Sequence, residues 1–186
     1  MDVAFQRTDD SPLPNIKKQK NLQGIGHNEL DAIFLLDVLE HIEEDDVSFL
    51  KDLLPFLKNE GTLIITVPAF SFLYSDHDRF LKHFRRYGKA QLLTVLSLAD
   101  VKVRRIFYFY TSLFFIRLMM LLISKLHKMP VQQKGIGCWN FPESSMVTRI
   151  FRNILNFDFF VNMMISQIKI TLPGLSLCVI CQKKSQ

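Results

Sequence analysis

The sequence predicts an α/β fold, a doubly wound and mostly parallel sheet with helices on both faces, and three features predict it. Apolar runs of strand length at 31–37, 62–67, 101–110 and 175–182 are separated by segments with helical spacing. The first two are continuous rather than alternating, as in parallel strands covered on both faces. Strand, helix and strand then follow one another in the order of a right-handed crossover unit.

Taken in order, residues 1–30 read as the tail of a strand followed by a polar loop with Pro12, Pro14, Lys17, Lys18 and Lys20, and residues 21–25 as a further short strand. The run DAIFLLD at 31–37 is the expected central strand. After it, Val47, Leu50, Leu53, Leu54 and Leu57 recur at helical spacing. Four acids precede them where a helix N-terminus favours negative charge, and Pro55 tightens the last turn. Asn59, Glu60 and Gly61 make a turn, and TLIITV at 62–67 is a buried strand closed by Pro68. A helix over 88–99 and a strand over 101–110 continue the alternation. A loop with Gly135, Gly137 and Trp139, a helix over 144–168 and a last strand over 175–182 complete it.

A chain of 186 residues that is 48% hydrophobic buries one sizeable core, so a single domain is expected. Within it, 1–30, 31–105 and 106–186 form the N-terminal remnant, the central strand-helix units and the hydrophobic C-terminal part. A net charge of +5 favours anionic partners without selecting among them. The basic residues gather in one loop rather than interleaving with aromatics, so no nucleic-acid platform is expected. The odd cysteine count, Cys138, Cys178 and Cys181, points to a reducing cytoplasm without disulfides. Cys178 and Cys181 stand three apart on a strand and so face opposite ways; no metal site is read from the sequence. Residues 106–124 approach the length of a membrane span. Arg117 interrupts them and strand-favouring aromatics fill their first half, so they read as a strand running into an amphipathic or membrane-facing helix.

Ligands of open α/β sheets bind beyond the carboxyl ends of the strands, which singles out LDVLEH at 36–41 and the segment 68–87. Asp37 either caps the following helix or faces a cofactor. His41 reads as a packed helix-start residue. Arg79, Lys82, Arg85, Arg86 and Lys89 either bind an anionic substrate or pair with the acids at 43–46. The phenylalanines at 107–115 and 157–160 are assigned to core packing ahead of a lipid pocket.

The stretch LLDVLEHIEEDD resembles the segment after the fourth strand of class I methyltransferases that use S-adenosylmethionine. His77, Asp78, His83, Arg85, Arg86 and Tyr87 resemble a His-Asp pair and a His-x-Arg-Arg-Tyr element in the loop after the fifth strand of one subgroup. The likeness covers 31–186 and implies that the final strand lies antiparallel. Residues 1–5 are similar to the end of the second strand, where Asp2 would hold the cofactor ribose. The resemblance implies S-adenosylmethionine as cofactor, with Leu36, Asp37 and Val38 beside it. It also implies His77, His83 or Tyr87 as proton acceptor, and Arg85 and Arg86 on a small-molecule or lipid-linked acceptor. The chain departs from the family upstream: the first strand and its glycine-rich loop have no counterpart, and Gly24 and Gly26 do not replace it. The fold is therefore expected to be N-terminally incomplete, with activity of the chain as given in question. The competing expectations are a non-enzymatic remnant that docks to membranes or to a protein, and a nicotinamide-dependent enzyme of similar architecture. Cytoplasmic location with peripheral membrane contact is the expected setting.

Overall fold

The computed structural model describes residues 22, 24–43, 45–127, 145–168 and 171–184. Strand β1 (Leu30–Leu36) pairs in parallel with β2 (Leu57–Pro68), while β4 (Ser176–Lys183) runs antiparallel to both β2 and β3 (Val101–Phe109). The sheet order is β1-β2-β4-β3. Strands β1, β2 and β3 thus share one direction and the last strand alone opposes them, as expected.

The alternation of side chains along each strand divides the core in two. Leu63, Ile65, Val67, Leu177, Val179 and Cys181 are buried on one face, with Leu50 of α1 (Asp46–Leu53) and Leu92 and Leu96 of α3 (Lys89–Leu98). Ile64, Ile180, Phe107, Phe109 and Cys178 occupy the other face with Met163 of α5 (Met146–Ile165). Helices therefore cover both faces. Cys178 and Cys181 fall on opposite sides, and burial pushes their thiols up to about 11 and about 12, which keeps them inert.

Helix ends are set by local chemistry. The Asp45 carboxylate accepts from the Val47 and Ser48 amides at 2.9 and 3.1 Å and starts α1. Asp158 of α5 accepts from the Thr111 and Ser112 amides at 3.1 and 2.8 Å, fixing the start of α4 (Thr111–His127) from a neighbouring helix.

Several sequence-based expectations are corrected. Strand β1 is an edge of the described sheet rather than its centre, and Phe34 and Leu36 on one of its faces are 61% and 58% exposed. Residues 59–61 do not separate two elements; β2 starts at Leu57, and the ladder with β1 absorbs them in a register shift between Leu30 and Ala32. Helix α1 ends at Leu53 because Pro55 belongs to a 3-10 turn, Leu54–Phe56. The described residues near 21–25 form a bend and a turn instead of a strand. The apolar run at 106–124 breaks at Tyr110, whose φ of 61° ends β3 and lets α4 begin. Among the described residues no helix is long and apolar enough to cross a membrane. Asp2, Cys138 and the glycines of the 128–144 segment lie outside the described residues.

Gly174 approaches the β3 backbone so closely that a Cβ would stand 2.2 Å from the Phe109 carbonyl oxygen. Gly174→Ala is expected to destabilise the fold by about 3 kcal/mol, at the upper end for overpacking because backbone cannot rotate aside. Urea unfolding of the two proteins checks this, and an unchanged midpoint would show that the β3–β4 junction yields.

Candidate active site

All three parallel strands end in a non-glycine residue with left-handed backbone: Asp37 (φ 54°), Phe70 (φ 61°, just past β2) and Tyr110. Such residues cost about 1–2 kcal/mol each and persist only where surrounding contacts enforce them. The Asp37 amide donates to the Thr66 carbonyl and hydroxyl oxygens at 3.0 and 3.1 Å, and the Thr66 hydroxyl donates to Asp37 Oδ1 at 3.1 Å. Leu36 and Asp37 are exposed there, and Val38 is half-buried against the core. Phe70 is held by its amide bond to the Tyr87 carbonyl at 3.0 Å and by stacking on Tyr108, 4.9 Å between ring centres.

The segment after β2 returns to that strand. A parallel bridge between Ala69 and Tyr87 seats the end of HFRRY beside the strand terminus, and the Phe84 amide donates to the Glu40 carbonyl at 2.8 Å. The two segments that carry the family resemblance are therefore hydrogen-bonded to each other. Between them, α2 (Asp76–Phe80) opens with a reciprocal cap of Ser75 and Asp78.

Asp78 is fully buried and accepts from Arg86 Nε at 2.7 Å, the Ser75 amide at 2.9 Å and His83 Nδ1 at 3.2 Å. Burial alone would raise its pKa, but the His83 bond, the Arg86 charge and bond and the Ser75 amide outweigh that and hold it at about 2. Arg86 is itself buried and also donates to the Ala69 carbonyl at 3.3 Å.

Tyr87 and Arg85 point to the opposite side. The Tyr87 hydroxyl donates to Asp46 Oδ2 at 2.9 Å, with the Leu39 carbonyl oxygen at 3.1 Å, and burial first and that carboxylate second push its pKa far up. Arg85 reaches Asp46 at 3.3 Å and donates to the Ile42 carbonyl at 3.0 Å and to the Glu43 carbonyl. Of the two alternatives for the basic cluster, pairing with the chain's own acids holds for Arg85.

A cavity of about 630 Å³ opens among α2, α4 and α5. Its walls are mostly apolar, with Leu113, Ile116, Met120, Phe151 and Leu155, and four cationic or imidazole groups enter it: His77, Arg86, Arg117 and Arg152. His77 Nδ1 is buried without a hydrogen-bond partner. Burial, then the charge of Arg117, lowers the His77 pKa, so the ring is neutral at pH 7. Burial and the charge of Arg86 act likewise on Arg117, which donates to the Ser75 hydroxyl. Tyr110 also lines the cavity, and its pKa rises through burial and then through the charges of Asp37 and Asp158. The cavity thus lies beyond the carboxyl end of β3, with Arg86 entering from the segment bridged to the end of β2.

The structure brings His77 and Arg86 to one cavity, sets His83 behind them against Asp78, and places Arg85 and Tyr87 at the start of α1. Arg117, Arg152 and Tyr110 were missed by sequence reasoning. The signal available for Arg117 was a lone arginine inside an apolar run.

No family model and no curated protein matches the chain. Solved structures with a related chain path include an S-adenosylmethionine-dependent methyltransferase from Archaeoglobus fulgidus (17% identity, TM-score 0.43, 87% of this chain and 63% of that one). Another, from Galdieria sulphuraria, is assigned as a sarcosine dimethylglycine methyltransferase (13%, 0.46, 88% and 56%). A third is the Haemonchus contortus phosphoethanolamine N-methyltransferase 2 with S-adenosyl-L-methionine (11%, 0.44, 87% and 35%). The chain thus spans less than two thirds of each of these proteins.

Because Asp78 is held at about 2 against an ordinary 3.8, its contribution to stability is complete above about pH 4 and is lost as pH falls towards 2. The wild type is expected to lose about 2 kcal/mol over that window through this group. Asp78→Asn should remove that part of the pH dependence and cost about 3–5 kcal/mol at neutral pH by leaving Arg86 unpaired. Denaturant midpoints measured across the window check both; a wild-type slope retained in the variant would assign the acid sensitivity elsewhere.

Proposed function

We propose that this chain transfers a methyl group from S-adenosylmethionine to an anionic acceptor with an apolar body, a small amphiphile or a lipid-linked molecule. The observation that carries the acceptor class is the cavity beyond the carboxyl end of β3, apolar along its walls and lined by Arg86, Arg117 and Arg152. Apolar walls suit a hydrocarbon body and guanidinium groups suit a phosphate or carboxylate.

Support for the cofactor comes from the sequence likeness of LDVLEH and the His-Asp and His-x-Arg-Arg-Tyr elements, together with the hydrogen bond that joins them at the strand ends. Residues at the β1 terminus fit one wall of such a site. Exposed Leu36 offers apolar surface to a base, and exposed Asp37, braced by Thr66, offers a carboxylate to hydroxyl or amino donors. No glycine-rich cradle occurs among the described residues.

When bound, S-adenosylmethionine supplies a methyl group on positively charged sulfur. Methylation would release S-adenosylhomocysteine, and the acceptor's nucleophile would give up a proton. His77 takes it in this reading, because the residue lines the cavity and burial and Arg117 favour the neutral ring. Arg86 and Arg117 hold the acceptor's charge, and the low-dielectric walls keep it in one orientation. His83 and Tyr87 act as positioning residues, fixing the loop that carries His77 and Arg86.

Calorimetric titration of S-adenosylhomocysteine into the full chain is expected to show saturable binding, weakened about tenfold, or by about 1.4 kcal/mol, in Asp37→Ala. No saturable heat with folded wild type would overturn the cofactor assignment. For the acceptor, dodecyl phosphate is expected to bind at the cavity and to lose about tenfold in affinity in Arg117→Met, with S-adenosylhomocysteine affinity retained. Equal affinity in both proteins would remove Arg117 from the acceptor site.

A further inference from the structure

We propose that Glu40, His41 and His83 bind one divalent transition-metal ion, of the zinc and cobalt kind, between the turn after β1 and the loop after β2. Glu40 and His41 lie in the 3-10 turn Leu39–His41, and His83 is brought over it by the Phe84-to-Glu40 backbone bond. One potential ligand atom from each of the three residues lies within 4.8 Å of the other two.

Two independent features point to a ligand. The Glu40 side chain is fully buried, yet neither carboxylate oxygen has a hydrogen-bond partner, and Oε1 stands 3.9 Å from His83 Nε2, beyond bonding distance. A buried carboxyl group left unsatisfied costs several kcal/mol, which a bound cation facing it would offset. Both imidazoles, in addition, are oriented by acceptors at Nδ1: His83 by Asp78 at 3.2 Å and His41 by the Lys82 carbonyl at 3.2 Å. An Nδ1 proton given to a carboxylate or carbonyl leaves the Nε2 lone pair free. That is the arrangement found around metal-bound histidines. The rings meet edge to face, 4.8 Å between centres.

Two imidazoles and one carboxylate suit zinc, cobalt or nickel. Magnesium and calcium prefer oxygen donors throughout. Ligand atoms at about 2.0–2.2 Å from one ion must come closer than they stand here, by about 1 Å, a distance that side-chain rotation covers. Three protein ligands leave a coordination position for water. The ion would clip together the two segments that frame the strand ends. The assignment does not depend on the methyltransferase reading, since it uses none of the cavity residues.

The test is a titration of cobalt(II) into the full chain, followed by its visible absorption. One equivalent is expected to produce the ligand-field bands of a low-coordinate nitrogen and oxygen site, absent from Glu40→Gln and from His83→Gln. Zinc at saturation should displace the bands and raise the melting temperature of the wild type only. Absence of such bands from folded wild type, or identical bands in folded Glu40→Gln, would overturn the proposal. Should either variant fail to fold, zinc addition to the wild type still decides by NMR. Ring-proton shifts of His41 and His83, with His77 unmoved, support the site, and unmoved His41 and His83 refute it.

Discussion

The ion pair of Asp78 and Arg86 is the constraint on which the upper end of the molecule depends. Both side chains are buried, and Arg86 Nε meets Asp78 Oδ1 at 2.7 Å. Removing two charges from water is expensive, and the pair is sustained because both groups have further partners: Ser75 and His83 on Asp78, the Ala69 carbonyl on Arg86. Together with Arg86 itself, those partners sit on four different stretches of backbone. Satisfying one carboxylate therefore fixes the end of β2, the start of α2, the His83 turn and the returning segment together. The net stability from the pair is small compared with what its geometry specifies, because half of such a pair cannot be removed without leaving the other half buried alone.

That network explains why the loop can carry strained residues. Phe70 and Lys82 lie at either end of it with positive φ, at 61° and 60°. A flexible loop would relax out of both. Here the Phe70 amide is bound to Tyr87, and the Lys82 carbonyl is the acceptor at His41 Nδ1, so each strained residue presents a backbone group that another element needs. Tyr74, donating to the His83 carbonyl at 2.8 Å, completes the brace.

The parallel strands and their crossover helices were legible because the pattern is local: TLIITV is continuously apolar, and in the fold Leu63, Ile65 and Val67 pack on one face and Ile64 on the other. What local pattern could not state was which surface covers which. DAIFLLD is apolar throughout, and composition reads the same whether Phe34 meets a helix or, as among the described residues, stays 61% exposed. The directions of the site residues were hidden for a related reason. Arg85 and Tyr87 sit beside Arg86 in sequence, but strand-like alternation at the Ala69 bridge sends Arg86 towards the cavity and its two neighbours towards Asp46, about 40 positions away in sequence. Arg117 shows the converse. It looked like an interruption of an apolar helix, and only the fold brings it against Ser75 and into the cavity with His77.

The histidines show how one side chain acquires different chemistry from its acceptors. His77 and His83 are six residues apart, on either side of Asp78, and both are mostly shielded from water. His83 Nδ1 meets the Asp78 carboxylate, which orients the ring and turns Nε2 towards Glu40. His77 Nδ1 meets no acceptor, and Arg117 nearby favours the neutral ring. A ring oriented at Nδ1 by a fixed carboxylate presents Nε2 in one direction; a ring among cations is held in its neutral form. The short α2 helix separates the two settings. Its reciprocal capping residue Asp78 bonds His83, and its first turn carries His77 into the cavity beside Arg117.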